Sequence, residues 1–249
     1  MPTKAVRQVI TINEKAMKKW SSLFMTMLVV MSAYAQLQVK APGEKWEESY
    51  SFDKFNAFKM EFYAKGNELM RTIQYKTFYQ SGSENFLIKL VPEGKGYGME
   101  TVLDKKNELA IQIIGAGGSA PYYNAGGFKY PTEAELKKLE IVPTTDTKQI
   151  LGYTCKKYTY TYKKIFGEVW MTDQVKISND LGVFRACKMA ALHNTLSVSG
   201  FVMEMTTEDA RGGKTLMSTV SLNTAMNYTI DLKGVQMTAA INKVNYYTF

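Results

Sequence analysis

The chain has 249 residues, of which 45% are hydrophobic, and a formal net charge of +8 at pH 7. Five of its 31 basic residues and one of its 23 acidic residues lie within the first 35 positions, so the rest of the chain carries a net charge of +4. Its charges are interspersed in sign, whereas nucleic-acid binding proteins carry clustered basic faces, so the composition indicates no nucleic-acid partner.

The N-terminus has the three-part pattern of a signal peptide. Met17-Lys18-Lys19-Trp20 is a short basic start, Leu23–Met31 is an apolar run, and Ala33-Tyr34-Ala35 has small residues where a signal peptidase cleaves. The run is too short for a membrane-spanning helix, which needs about 20 residues. We expect Met17 to be the true start, cleavage after Ala35, a periplasmic or secreted protein, and at most peripheral membrane association.

After the leader, runs of alternating apolar and polar residues follow one another, separated by short turns. Short turns predict antiparallel pairing, because parallel crossovers need a dozen or more residues. Gln36–Asp53 is an arm or a first strand. The predicted strands that follow are Phe55–Ala64, Leu69–Tyr79, Asn85–Val91, Tyr97–Leu103, Glu108–Ile114, Gly200–Thr206, Thr215–Leu222, Tyr228–Ile230 and Val244–Tyr247.

The stretch from Gly152 to Asp173 predicts a β-hairpin. Alternation puts Cys155 on one face of its first strand and three tyrosines on the other: Tyr158, Tyr160 and Tyr162. A basic turn follows, and Val169–Met171 is the return strand. An isolated hairpin is only marginally stable in water, so we expect this one to join a larger sheet.

Residues Gly115–Tyr130 are rich in glycine and tyrosine and predict a long loop, which in compact domains is often functional. The capping box that begins at Thr132 predicts a short helix near Glu133–Leu139, and apolar spacing predicts a second near Val183–Leu192. The sequence thus predicts one mainly β domain over residues 36–249, with a curved antiparallel sheet and one or two short helices.

No residue pattern indicates catalysis. Ile113–Ala120 imitates a dinucleotide fingerprint, but Pro121 and the glycines after it oppose the helix that the fingerprint requires. His193 could in principle serve a cysteine nucleophile, yet nothing near it indicates an activated thiol. One histidine and two distant cysteines do not make a metal site. We expect a non-enzymatic protein with no catalytic residues, no metal and no cofactor.

Cys155 and Cys187 are the two cysteines of the chain. In an exported protein such a pair either forms a disulfide or remains as two free thiols, and the spacing does not decide between them. A disulfide would stabilise the fold by about 3–4 kcal/mol on the chain-entropy model.

Three segments carry a resemblance to a known family: Asp104-Lys105-Lys106-Asn107, Thr147–Tyr158 and Glu168–Thr172. They resemble the exported bacterial family called domain of unknown function 4412. The family is similar in layout to the periplasmic lipoprotein-carrier fold, which implies a half-open antiparallel sheet with helices across its concave side. The family has no catalytic residues to carry over.

The resemblance leaves two functions open. In one, the protein binds a lipid, a lipoprotein acyl chain or another apolar ligand on the concave face. In the other, the sheet is fully packed and the protein is a structural or interaction module of the envelope. Alternation predicts that the concave face carries Phe58, Met60, Phe62, Phe86, Ile88, Leu90, Val169, Met171, Phe201, Met203 and Met205. The predicted lid is the Gly115–Tyr130 loop with Tyr122 and Tyr123.

Overall fold

The computed structural model describes residues 46–91, 98–115, 120–128, 138–177, 195–235 and 237. All of them belong to one compact unit, Val39–Phe249. The leader predicted at residues 1–35 lies outside the described residues, as do the helix predicted near Val183–Leu192 and the strand predicted at Val244–Tyr247.

The regular elements within these ranges are β-strands. In chain order they are β1 (Ser49–Phe52), β2 (Lys54–Tyr63), β3 (Leu69–Tyr79), β4 (Phe86–Val91), β5 (Gly98–Asp104), β6 (Leu109–Gly115), β7 (Tyr122–Gly127), β8 (Lys138–Leu139), β9 (Ile141–Ile150), β10 (Tyr153–Tyr162), β11 (Ile165–Thr172), β12 (Thr195–Leu196), β13 (Phe201–Asp209), β14 (Lys214–Asn223) and β15 (Tyr228–Asp231).

Eleven of the strands form one large, open antiparallel sheet. Their order is β7-β6-β5-β4-β3-β2-β14-β13-β11-β10-β9, which leaves β7 and β9 at the edges. The two halves join where β14 returns to pair with β2. The sheet is open, because its edge strands β7 and β9 do not pair with each other. The mainly β fold predicted from the sequence is confirmed.

Alternation of apolar residues explains both the strands and their register. In β2, Phe58 and Met60 are buried on one face, while Lys59 and Glu61 on the other face form an ion pair at 3.0 Å. The β2–β3 turn contains Gly66 and Asn67 with positive φ, which glycine and asparagine tolerate better than other residues. The strands predicted between Phe55 and Ile114 are confirmed to within one residue at each end.

A second layer covers part of one face of the sheet. Strands β1 and β15 pair with each other, and their buried side chains pack against strands β3 to β7. The residues in this cluster are Tyr50, Phe52, Phe78, Leu87, Val102, Ile111, Ala125, Ile230 and Leu232. We call this covered face the outer face and the opposite one the inner face.

One buried polar contact anchors β1 to the sheet. The Tyr50 hydroxyl donates to Asp104 Oδ2 at 2.6 Å, and the backbone N–H of Asn107 donates to Asp104 Oδ1 at 3.0 Å. Burial, together with the neighbouring carboxylate, raises the pKa of Tyr50. Because the Asp104 side chain is fully buried, these donors stabilise a carboxylate that would otherwise be costly to bury.

Three sequence predictions need correction. Residues Tyr122–Gly127 form strand β7, paired with β6, rather than part of a long loop. The last two residues of the helix predicted near Glu133–Leu139, Lys138 and Leu139, form strand β8, and the remainder of that helix lies outside the described residues. Strand β9 is absent from the predicted elements.

Strand β9 escaped prediction because it lacks the usual apolar alternation. Val142–Thr147 is exposed at every position and contains Pro143. Proline and polar side chains are features by which edge strands avoid pairing with other chains. Its strand conformation is therefore set by pairing with β10 rather than by burial of its own side chains.

Candidate ligand-binding face

The structure brings all eleven residues predicted for the concave face into one apolar cluster on the inner face. Nine of them are buried, and Phe62 and Leu90 are partly buried at its margin. The structure therefore places these residues together in one apolar cluster. Their role in ligand binding stays a prediction.

Cross-strand register explains why residues so distant in sequence meet. One row of side chains crosses six neighbouring strands, with one residue from each: Ile73, Met60, Met217, Met205, Val169 and Tyr158. Directly paired side chains on one face of a sheet lie about 4.5–5.5 Å apart, so the members of the row pack side by side. Three of the six are methionines, whose unbranched side chains adapt to irregular gaps.

Irregular register adds residues to the inner face that alternation alone does not predict. On β11 and β13, Val169 pairs with Met205 but Met171 pairs with Val202, so β13 contains one extra residue. As a result Val202 is buried in the same cluster as Phe201, Met203 and Met205. The extra residue is a β-bulge, and it changes the face of the sheet to which the side chains that follow it point.

A similar irregularity overturns the predicted facing of Cys155. Its thiol is buried in the same cluster as Tyr160, although alternation placed the two on opposite faces. The β9–β10 register shifts between Lys156 and Tyr158, and the buried side of β10 changes there. Burial raises the pKa of the Cys155 thiol.

Cys155 is a free cysteine in the structure, and its thiol donates to the carbonyl oxygen of Tyr153 at 3.5 Å. Cys187, the second member of the predicted pair, lies outside the described residues, as does His193. The disulfide therefore stays a prediction.

The inner face is covered by side chains of the same chain. Leu139 of β8, Leu196 of β12, and Val175 and Ile177 after β11 belong to its apolar cluster. Strands β8 and β12 pair in parallel over two residues each, and the backbone N–H of Ser197 donates to the Leu139 carbonyl at 3.0 Å. In the part of the chain that the structure describes, most of the inner-face side chains are therefore packed against one another rather than open to solvent.

A short polar row interrupts the inner face between β2 and β3. The Thr77 hydroxyl donates to Asn56 Oδ1 and lies 3.1 Å from the Tyr79 hydroxyl, and all three residues are buried. Buried polar groups are tolerated when they bond to one another. Because these polar groups form hydrogen bonds with one another, they do not need a ligand as a hydrogen-bond partner.

Gly167 is required by the packing of Tyr160. The Tyr160 hydroxyl donates to the Thr206 carbonyl at 2.8 Å and lies 2.7 Å from Thr207 Oγ1. A Cβ atom at Gly167 would overlap the Thr206 carbonyl oxygen and lie 2.8 Å from the Tyr160 hydroxyl. Burial raises the pKa of Tyr160 to about 12.

The opposite side of the same hairpin is polar. Lys148 Nζ lies 2.7 Å from Glu204 Oε1 and 4.2 Å from the centre of the Trp170 ring. Lys157 Nζ forms an ion pair with Glu168 at 2.8 Å. The hairpin is charged on one face and apolar on the other. Its apolar face is therefore the one that is buried in the inner-face cluster.

The predicted lid residues do not cover the inner face. Tyr123 packs against the outer-face cluster under β1 and β15, and Tyr122 is exposed at the edge of the sheet. Successive residues of a strand point to opposite faces, so a paired strand cannot place both rings over one groove. The loop prediction on which the lid depended is wrong for this segment.

Clustered metal ligands and membrane-spanning helices are both absent from the described ranges. No three His, Cys, Asp or Glu side chains come together there as ligands for a metal ion. None of the elements there is a helix with the length and hydropathy of a membrane span.

Met217 is an inner-face residue that the sequence pattern could have revealed, because it lies in the middle of the predicted strand Thr215–Leu222.

Comparison with known proteins identifies no family. No family model matches the chain, and no curated protein matches it. The family resemblance drawn from the sequence therefore stays a prediction.

Solved structures give distant likenesses. Two crystal forms of PNGF-II match with TM-scores of 0.37 and 0.40 at 16% and 14% identity, over 76% and 77% of this chain. The chain spans only about a third of their length, 31% and 32%. A domain described as an outer membrane lipoprotein-sorting protein domain, from Vibrio parahaemolyticus, matches with a TM-score of 0.20 at 12% identity, over 69% of this chain and 85% of that one.

Proposed function

We propose that this protein is an exported, non-enzymatic interaction module of the cell envelope, with a filled core and binding surfaces on its exposed turns and edges. The observation that supports the proposal is the burial of the inner face. Phe86, Val169 and Met203 are each 0% exposed. A groove that awaits an apolar ligand would leave such side chains accessible to solvent.

Export is the second part of the proposal and is supported by the leader. Its basic start, apolar run and small residues at 33 and 35 are the pattern that directs secretion. Sequencing the N-terminus of protein recovered from outside the cytoplasm should give Gln36 as the first residue. An uncleaved leader on cytosolic protein would contradict export.

A carrier of an apolar ligand is the second candidate function. It is favoured by the row containing Met60, Met217 and Met205, because methionine-rich surfaces adapt to ligands of different shape. The cover over this face includes the β8–β12 pair, which is only two residues long in each strand. In this alternative the cover is displaced and an acyl chain takes its place, gaining about 0.8 kcal/mol for each CH₂ group that it buries.

Native mass spectrometry of the protein purified from its own cells separates the two functions. A filled core predicts the mass of the bare mature chain, before and after gentle extraction with an apolar solvent. A carrier predicts an added mass that the extraction removes. Protein that retains stoichiometric lipid would overturn the interaction module in favour of the carrier.

A further inference from the structure

The strand register places three turns at one end of the eleven-stranded sheet. They are the β2–β3 turn at 64–68, the β10–β11 turn at 163–164 and the β13–β14 turn at 210–213. One row of paired residues runs beside them across the sheet: Leu69, Tyr63, Lys214, Glu208 and Phe166. Neighbouring strands lie about 4.8 Å apart, so the row from Leu69 to Phe166 is about 19 Å long.

These turns are also adjacent in space. A Cβ atom built on Gly212 would lie 3.2 Å from Lys65 Cγ, so the β2–β3 and β13–β14 turns touch. Ile165 at the end of the β10–β11 turn pairs with Asp209 at the start of the β13–β14 turn. We call the surface formed by residues 63–71, 162–166 and 208–214 the basic end.

The basic end has an excess of positive charge. Its carboxylates are Glu68, Glu208 and Asp209. Its cations are Lys65, Arg71, Lys163, Lys164, Arg211 and Lys214. Asp209 Oδ1 accepts the backbone N–H groups of Arg211 at 2.7 Å and Gly213 at 3.1 Å, so part of this negative charge is used to shape the turn.

The opposite end of the sheet differs in charge. Its turns at 80–85, 104–108 and 151–152 contain two cations, Lys105 and Lys106, and three carboxylates. Lys105 forms an ion pair with Glu84, and Lys106 forms one with Glu47 at 2.8 Å. In the described part of the chain, none of the six cations of the basic end forms an ion pair with a carboxylate.

Three large apolar side chains of the basic end are exposed to solvent. Leu69 is 51% exposed, Met70 is 56% exposed and Phe166 is 48% exposed. Single exposed apolar residues are ordinary, but three at an end of the sheet that also carries six cations combine two separate attractions. Cations are drawn to an anionic lipid surface, and apolar side chains gain by entering the boundary between headgroups and acyl chains.

We propose that the basic end docks the protein on a lipid bilayer that contains anionic phospholipid. The cations face the lipid phosphates, and Leu69, Met70 and Phe166 enter the interface. The inference deepens the proposed function by naming the partner of one exposed surface. It does not depend on whether the inner face holds a ligand.

Vesicle co-sedimentation with the mature chain tests the proposal. We expect binding to vesicles of phosphatidylcholine with phosphatidylglycerol, weakening as salt rises because screening reduces the attraction. Vesicles of phosphatidylcholine alone should bind far less. An equal affinity for both kinds of vesicle, or for neither, would overturn the proposal.

Two pairs of adjacent turn lysines provide a matched comparison. The double variant Lys163→Gln, Lys164→Gln should weaken binding by about tenfold or more, since each cation near an anionic surface contributes separately. The double variant Lys105→Gln, Lys106→Gln removes the same charge at the opposite end and should change binding by less than about twofold. Equal losses in the two variants would show attraction by net charge only and would overturn docking at the basic end.

The apolar contribution is tested by Phe166→Ser, with Leu151→Ser as the control at an equally exposed residue in the 151–152 turn at the opposite end of the sheet. Docking into the interface predicts weaker vesicle binding for the first variant and unchanged binding for the second. Unchanged binding of Phe166→Ser would contradict insertion. These outcomes are separate from native mass spectrometry, so either proposal can fail while the other stands.

Discussion

Met203 is the residue at which the filled core and the ligand groove differ most in what they predict. Its side chain is 0% exposed and lies among Phe201, Val202 and Met205. A glutamate there would bury an unpaired carboxylate, which costs several kcal/mol. We therefore expect Met203→Glu to abolish the cooperative thermal transition.

Met70→Glu is the matched control for this substitution, because Met70 is exposed. Substitutions at exposed positions usually change stability by about 0.5 kcal/mol or less. The two variants are compared by thermal unfolding followed with circular dichroism. A Met203→Glu protein that unfolds cooperatively near the wild-type temperature would contradict the filled core.

Gly167 shows how a single missing side chain permits a close contact between strands. Gly167→Ala would push its Cβ atom against the Thr206 carbonyl and displace the Tyr160 hydroxyl. Overpacking of this kind typically costs about 1–3 kcal/mol. The loss should be visible as a lower midpoint in urea unfolding with an unchanged slope.

The control for Gly167→Ala is Gly98→Ala, because a Cβ atom at Gly98 meets nothing within 4 Å. Replacing such a glycine restricts the unfolded chain and should leave the protein as stable as before, or slightly more so. Equal effects of the two substitutions would show that backbone freedom, and not the contact with Tyr160, makes Gly167 necessary.

At the scale of elements, substitutions in β7 distinguish a packed strand from a lid over the inner face. Tyr123 packs under the layer formed by β1 and β15, whereas Tyr122 is exposed. We expect Tyr123→Ser to lower the free energy of unfolding by about 1–2 kcal/mol, in proportion to the apolar area that it exposes. Tyr122→Ser should leave stability unchanged.

A lid predicts a different result for this pair of variants. Two tyrosines of a lid would both influence the binding of an apolar dye and neither would influence unfolding. Urea unfolding and dye titration on the same two proteins therefore test the element directly. Equal stability of both variants would contradict the packing of β7 against the outer-face cluster.

The pairing of the strands was more predictable than the face of the sheet to which each side chain points. In β2 to β6, regular alternation and short turns specify both the strands and their pairing, so the sequence predicts them closely. In β10 and β13, register shifts bury Cys155 and Val202 against the expectation from alternation. A bulge depends on the neighbouring strand, which the local sequence does not reveal.

At the scale of the whole molecule, a buried tyrosine on the inner face and a half-buried one on the outer face contribute to the dependence of stability on pH. Burial raises the pKa of Tyr160 on the inner face, and of Tyr228 beside the outer-face cluster, to about 12. In the unfolded chain a tyrosine ionises near pH 10. The protonated phenols therefore stabilise the folded state fully below about pH 10, and this contribution is lost as the pH rises towards 12.

Urea unfolding at pH 8, 10 and 11.5 measures this loss. We expect the free energy of unfolding to fall between pH 10 and 11.5. The fall should be smaller in the double variant Tyr160→Phe, Tyr228→Phe, whose phenols cannot ionise. An identical fall in the variant and the wild type would assign the effect to other groups, such as the lysines of the surface ion pairs.

The sequence by itself determined the strands from β2 to β6, the antiparallel fold and eleven of the residues that lie in the inner-face cluster. Alternation and turn composition are local properties, and eleven residues predicted from them lie together in one cluster. Only the tertiary structure decided that this face is filled. Its cluster includes Leu139, Val175, Ile177 and Leu196, which come from segments outside the large sheet. The grouping of three basic turns at one end likewise follows from strand order, because β14 returns to β2 and brings residues 64–68 and 210–213 together.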